Sequence, residues 1–140
     1  MKKFEKKPFW DTLIESRFTI MAVDDAPVDA PPPTRVTLQD VEESIVSEHY
    51  FTAEQGDQQA QEDLNNGRHV HPKDNPLALL TFCVLVLKNG FTVTGESACV
   101  AHENFNAAIG REIARENAVE KIWPLLGYEL KQKRYEYNPT

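Results

Sequence analysis

The stretch KNGFTVTGESACV, residues 88–100, decides how this chain is read. Asn89-Gly90 is a strong hairpin signal, because the tight turns that join twisted strands need left-handed backbone that Asn and Gly tolerate. Before the turn runs LALLTFCVLVLK and after it FTVTGESACV, both rich in β-branched and aromatic residues. A two-residue loop sets Lys88 opposite Phe91. One face of the hairpin then carries Leu80, Phe82, Val84, Val86, Phe91, Val93, Gly95, Ser97 and Cys99. The other carries Leu79, Thr81, Cys83, Leu85, Leu87, Thr92, Thr94, Glu96 and Ala98. The first strand is apolar on both faces, so helices or a second subunit should cover it on both sides. The two cysteines point to opposite faces in this register, which argues against a disulfide.

Working outward, TLQDVEESIVSEHYF (37–51) reads as a helix. Thr37 is its N-cap, Asp40 lies in an acidic first turn, and Leu38, Val41, Ile45 and Val46 form the apolar stripe. Residues 52–76 are polar and broken by Gly56, Gly67, Pro72 and Pro76, which predicts a long loop with at most one helical turn near 57–64. After the hairpin comes the main helix, capped by Asn104 or Asn106. Ile109 and Ile113 form one row on it, and Ala114, Ala118 and Ile122 another. Pro124 should end or kink this helix at Trp123, and Gly127 marks a second break. The tail YELKQKRYEY suits one more strand. Upstream, DDAPVDAPPPT (24–34) is an extended linker. Residues 1–33 are therefore expected to be an appendage, with Phe9, Trp10, Leu13, Ile14, Phe18, Ile20 and Met21 available to dock, and 34–140 the compact part. The expected fold is a small single α+β domain: a central hairpin packed by an N-terminal helix and a longer C-terminal helix kinked at Pro124.

Composition narrows the function. The 140 residues hold 22 acidic and 15 basic side chains, a net charge of −7, with a pI near 5.1. Non-specific binding along a phosphate backbone is disfavoured. The longest apolar runs fall short of a membrane span, and the start MKKFEKKPFW lacks a signal-peptide core. A cytoplasmic protein is the expectation.

Three blocks of the chain, RVTLQDVEESIVSEHYFTA (35–53), LTFCVLVLKNGFTVTGESACV (80–100) and ENFNAAIGREIARENAVEKIWPLLGYEL (103–130), follow one another in an order that resembles a small bacteriophage family. That family takes its name from gene product 49 of one coliphage and gene 66 of another. Its usual Asp-Pro after the second strand is replaced here by Ala101-His102, so the connection to the helix is expected to differ. The resemblance implies an accessory protein of a phage or prophage and carries over no catalytic or binding residue.

The polar row Thr92, Thr94, Glu96 is the first candidate site. Beside Cys83, Glu96 needs a partner if buried, and Arg111 near the helix start is the natural one. Arg111 is equally placed to meet a phosphate or carboxylate, with Gly110 allowing close approach and the helix amides favouring anions. Enzyme readings fail on residue supply. His69 and His71 lack a third metal ligand at a suitable spacing, and Cys99 with His102 lacks a placed acid or oxyanion donor. There is no Gly-rich phosphate loop, and Glu112, Glu116 and Glu120 form one solvated helix side. Trp123, Leu125, Leu126 and Tyr128 suit helix-end packing or an oligomer interface. Lys131, Lys133 and Arg134 among Tyr135 and Tyr137 make a weak nucleic-acid signal in so acidic a chain.

Two functions remain, neither requiring a cofactor or metal. One is a non-catalytic interaction module, expected as a homo-oligomer, that contacts a host or phage protein. The other is a binder that sequesters a small anionic nucleotide, such as a second messenger of a bacterial anti-phage system, through Thr92, Thr94, Asn104 and Arg111.

Overall fold

The computed structural model describes residues 30–64 and 73–137. Helix α1 spans Leu38–Ser44, strand β1 Ile45–Thr52, helix α2 Ala53–Asp63, strand β2 Leu80–Leu87, strand β3 Thr92–Ala98, helix α3 Ala107–Glu120 and helix α4 Ile122–Glu136. Short 3₁₀ turns cover Pro76–Leu79 and His102–Asn104. The strands make an antiparallel sheet in the order β1-β2-β3, a small α+β fold. The expected docking of residues 9–21, and His69 and His71, lie outside the described residues.

The hairpin differs from expectation by one residue, and the difference reverses its faces. The Leu87 amide donates to the Phe91 carbonyl at 2.8 Å, and the Cys99 amide donates to the Leu79 carbonyl at 3.0 Å. Phe91 therefore faces Leu87, not Lys88, and the loop holds Lys88, Asn89 and Gly90. The Gly90 amide closes the turn on the Leu87 carbonyl at 2.9 Å, the Asn89 side chain accepts the Phe91 amide at 2.9 Å, and Gly90 sits at φ 87°. This is the three-residue hairpin that ends in a left-handed glycine bulge. Because side chains alternate with period two, the slip exchanges every partner. Leu85 now faces Val93 and Cys83 faces Gly95. Thr81, Cys83, Leu85, Leu87, Val93 and Gly95 are all buried, whereas Leu80, Phe82, Val84 and Val86 are half-buried. Cys83 and Cys99 are both free, although the new register gives them the same parity.

Two further expectations are corrected. The first helix stops at Ser44, because Ile45 and Val46 are β-branched and the alternation of IVSEHYFT suits a strand. Its expected cap is present: the Thr37 hydroxyl accepts the Asp40 amide at 3.1 Å, and the Asp40 carboxylate accepts the Thr37 amide at 2.9 Å. The expected loop after residue 52 begins instead with the eleven residues of α2. Thr52 and Gln55 form a second reciprocal cap there, at 3.2 and 2.9 Å, and Gly56 is carried as one weak helix former.

The chain divides into two compact units. Among the described residues, one comprises 30–47, Val86–Thr92 and 122–137; the other comprises 48–64, 73–85 and Val93–Lys121. In the first, α1 packs on α4 around Val41, Ile45, Val46, Leu87 and Ile122. Arg134 of α4 also donates to the Pro32 and Pro33 carbonyls, at 3.1 Å each. The main helix is interrupted at Lys121, ahead of the expected Trp123. Pro124 has no amide to give the Glu120 carbonyl, so the helix restarts at Ile122 and places the proline in a first turn, where no donor is missed. The tail then continues as helix to Glu136, supported by a Lys133–Glu129 ion pair at 2.7 Å, and forms no strand.

In the second unit α3 lies on the buried face of the strands. Its Ala114 and Ala118 are fully buried, along with Cys83 and Leu85. Glycine at position 95 is what permits the approach. A Cβ there would stand 2.9 Å from the Ala118 Cα and closer still to the Ala114 carbonyl oxygen and the Ala118 nitrogen.

Candidate functional site

Since α3 covers the Gly95 face of β3, Thr94 and Glu96 point to the opposite face. Glu96 is exposed and needs no buried partner. The expected Glu96–Arg111 pair is not formed: Asn117 of α3 donates to the Glu96 carbonyl at 2.8 Å, and Arg115 takes an acidic partner elsewhere, Glu48 on β1.

That ion pair belongs to a cluster that the sequence reading missed. Tyr50 shares the covered face of the sheet with Cys83 and is near enough to influence its ionisation, and its hydroxyl donates to Glu48 at 3.3 Å. Burial, then the neighbouring Cys83 and Glu48 charges, push the Tyr50 phenol up to about 12. Burial raises the Cys83 thiol as well, partly offset by the neighbouring Tyr50 hydroxyl. A protonated, fully buried thiol is a poor nucleophile. The signal for this cluster was the period-two pattern of Glu48 and Tyr50, hidden by reading IVSEHYF as helix.

Phe51, next along β1, turns to the other face, where its ring meets Phe82 with centroids 5.7 Å apart. Phe51, Phe82, Val84, Thr94 and Glu96 thus make a sheet face of half-exposed apolar groups beside hydroxyl and carboxylate groups, with Phe51 39 % exposed. Thr92 has the same parity and is exposed.

Arg111 is exposed on the second turn of α3 and lines a small cavity of about 130 Å3 with Thr52, Thr81, Phe105 and Ala107. Asn104 ends the 3₁₀ turn and is exposed, while Asn106 caps α3 by accepting the Ile109 amide at 3.2 Å. Of Thr92, Thr94, Glu96, Asn104 and Arg111, only Arg111 lines this cavity. Cys99 and His102 face other partners, the Ala101 carbonyl at 3.2 Å and the Asn75 carbonyl at 3.2 Å. Among the described residues no three His, Cys, Asp or Glu side chains converge as metal ligands. No described helix is long and apolar enough to cross a membrane. The first unit has its own wider groove of about 890 Å3, lined by Val36, Leu87, Phe91 and Leu125 and by charges of both signs.

The class these features define is a small α+β protein whose antiparallel sheet carries a helix close against one face. The chain belongs to the Phage protein (N4 Gp49/phage Sf6 gene 66) family, whose pattern matches residues 36–134. No curated protein and no solved structure matches the chain.

Proposed function

We propose that this phage protein is a non-catalytic interaction module that acts inside the host cell by laying the outer face of its sheet on a host or phage protein. The observation that carries this reading is the half-exposed cluster Phe51, Phe82 and Val84 beside Thr94 and Glu96, on the face away from α3. Aromatic groups edged by hydroxyl and acidic groups are the composition of a protein-binding patch. The test is proximity labelling in infected bacteria with the wild type, Val84→Glu and Thr94→Arg. A partner captured by the wild type and lost in both variants, each with an unchanged melting temperature, supports the face. A partner retained by both variants removes it from the interface. Native mass spectrometry of the same proteins reads self-association: an oligomer that Val84→Glu dissolves would make a second copy the occupant.

A further inference from the structure

The cavity beside Arg111 in the second unit combines features that the sheet face does not share. Two helices start at it: Thr52, the cap of the eleven-residue α2, and Ala107, the first residue of the fourteen-residue α3, both line it. Each helix start carries amide donors without intrahelical acceptors and the positive end of a helix dipole. Asn106 takes only the Ile109 amide, leaving the amides of Ala107 and Ala108 for another acceptor.

Helix ends alone would not make a site, but two side chains point the same way. Arg111 is the one charged residue in the lining, and it has no hydrogen-bond or ion-pair partner among the described residues. In a chain with seven more acidic than basic groups, an arginine beside a cavity without a carboxylate is an uncompensated cation. Thr81 is 3 % exposed, and its hydroxyl also has no partner among the described residues. With no such partner, this hydroxyl is left for a guest in the cavity that Thr81 lines. Phe51 and Phe105 make the apolar part of the wall, which strengthens any charge interaction inside, and Gln55 completes the lining.

We propose that this cavity is a binding site for an oxyanion, the phosphoryl or carboxylate group of a small molecule. Arg111 forms the charge-assisted bonds, Thr81 donates its hydroxyl, and the first amides of α3 complete the cradle. The cavity volume of about 130 Å3 sets the size of the guest. It lies below the roughly 300–1,000 Å3 of sites that enclose drug-sized ligands, so the anionic end enters and the rest of the molecule stays outside.

The site shares Phe51 with the sheet face but none of its polar groups, and its test does not depend on a protein partner. Amide and arginine side-chain NMR signals of the full chain are followed while chloride is replaced by sodium phosphate, and separately by sodium acetate, at constant ionic strength. The expected result is saturating shifts at Thr81, Ala107 and Arg111 with at least one probe. The stronger probe identifies the class, phosphoryl or carboxylate. Arg111→Gln should weaken that binding about tenfold or more, as expected for losing a hydrogen bond from a charged group. Val84→Glu on the sheet face should leave it unchanged. If Arg111→Gln does not fold, Ala107→Leu at the exposed helix start occludes the cavity and must abolish the same shifts. Linear, non-saturating shifts with both probes, or wild-type affinity in the folded Arg111 variant, overturns the site.

Discussion

Gly95→Ala is the sharpest test of the helix–strand contact. The added Cβ would meet main-chain atoms of α3, the nearest being the Ala114 carbonyl oxygen and the Ala118 nitrogen, with the Ala118 Cα at 2.9 Å. No rotamer relieves a clash with backbone, so α3 must back off by about 1 Å to restore normal contact distances. A gap of that size forfeits between a quarter and a half of the attraction across the contact, which here involves the fully buried Cys83, Leu85, Ala114 and Ala118. The expected loss is about 3 kcal/mol or more, which lowers the melting temperature by roughly 10 °C. Calorimetry and urea unfolding on the same samples give both quantities. Gly127→Ala is the matched control: nothing lies within 4 Å of a Cβ there, and an alanine inside α4 should stabilise by about 0.8–1 kcal/mol. A Gly95→Ala protein melting within about 2 °C of the wild type would refute the close approach of α3 to β3.

Other consequences can be checked in the same protein. Thr52→Ala removes the cap of α2 and should cost about 1 kcal/mol, with a loss of helical circular dichroism, whereas a true loop would show neither. The Tyr50 phenol rises from 10.0 to about 12 on folding, and the Cys83 thiol also rises above its ordinary value. The unfolded chain therefore ionises first. The stabilisation from these groups is fully present below pH 9 and lost as pH climbs through 9 towards 12, so the melting temperature should fall there in step with phenolate absorbance. A thiol reagent at neutral pH should modify only the half-buried Cys99 in the native protein, and both thiols in denaturant. Two fast thiols in the native state would contradict the burial of Cys83.

Much of the architecture was legible because it is local. The Thr37 cap, the Asn89-Gly90 turn, the pairing of LTFCVLVL with TVTGESA and the buried Ala114–Ala118–Ile122 row all follow from side chains within a few positions of one another. The errors came where two readings of one segment compete. Ile45 and Val46 satisfy both a helical stripe and a strand, and packing decided for the strand. Asn-Gly suits both a two-residue and a three-residue loop, and both keep the hairpin while assigning its faces oppositely. That choice displaced the expected pairing of Glu96, while the helical reading of IVSEHYF hid the Tyr50–Cys83 cluster. Arg111 stands out in the sequence as a residue able to meet an anion, but the cavity neighbours Thr52 and Thr81 come from distant elements, and no spacing in the sequence joins them.

The three-residue turn also predicts which length changes this gene can tolerate. Deleting or inserting a single codon among Lys88, Asn89 and Gly90 would offer Thr94 and Glu96 to α3 and turn Val93 outward, without altering either strand's own sequence. A change of two residues would keep the parity and alter only the length of the loop. Variants of this hairpin that arise by insertion or deletion should therefore survive in steps of two, as a reading frame survives in steps of three.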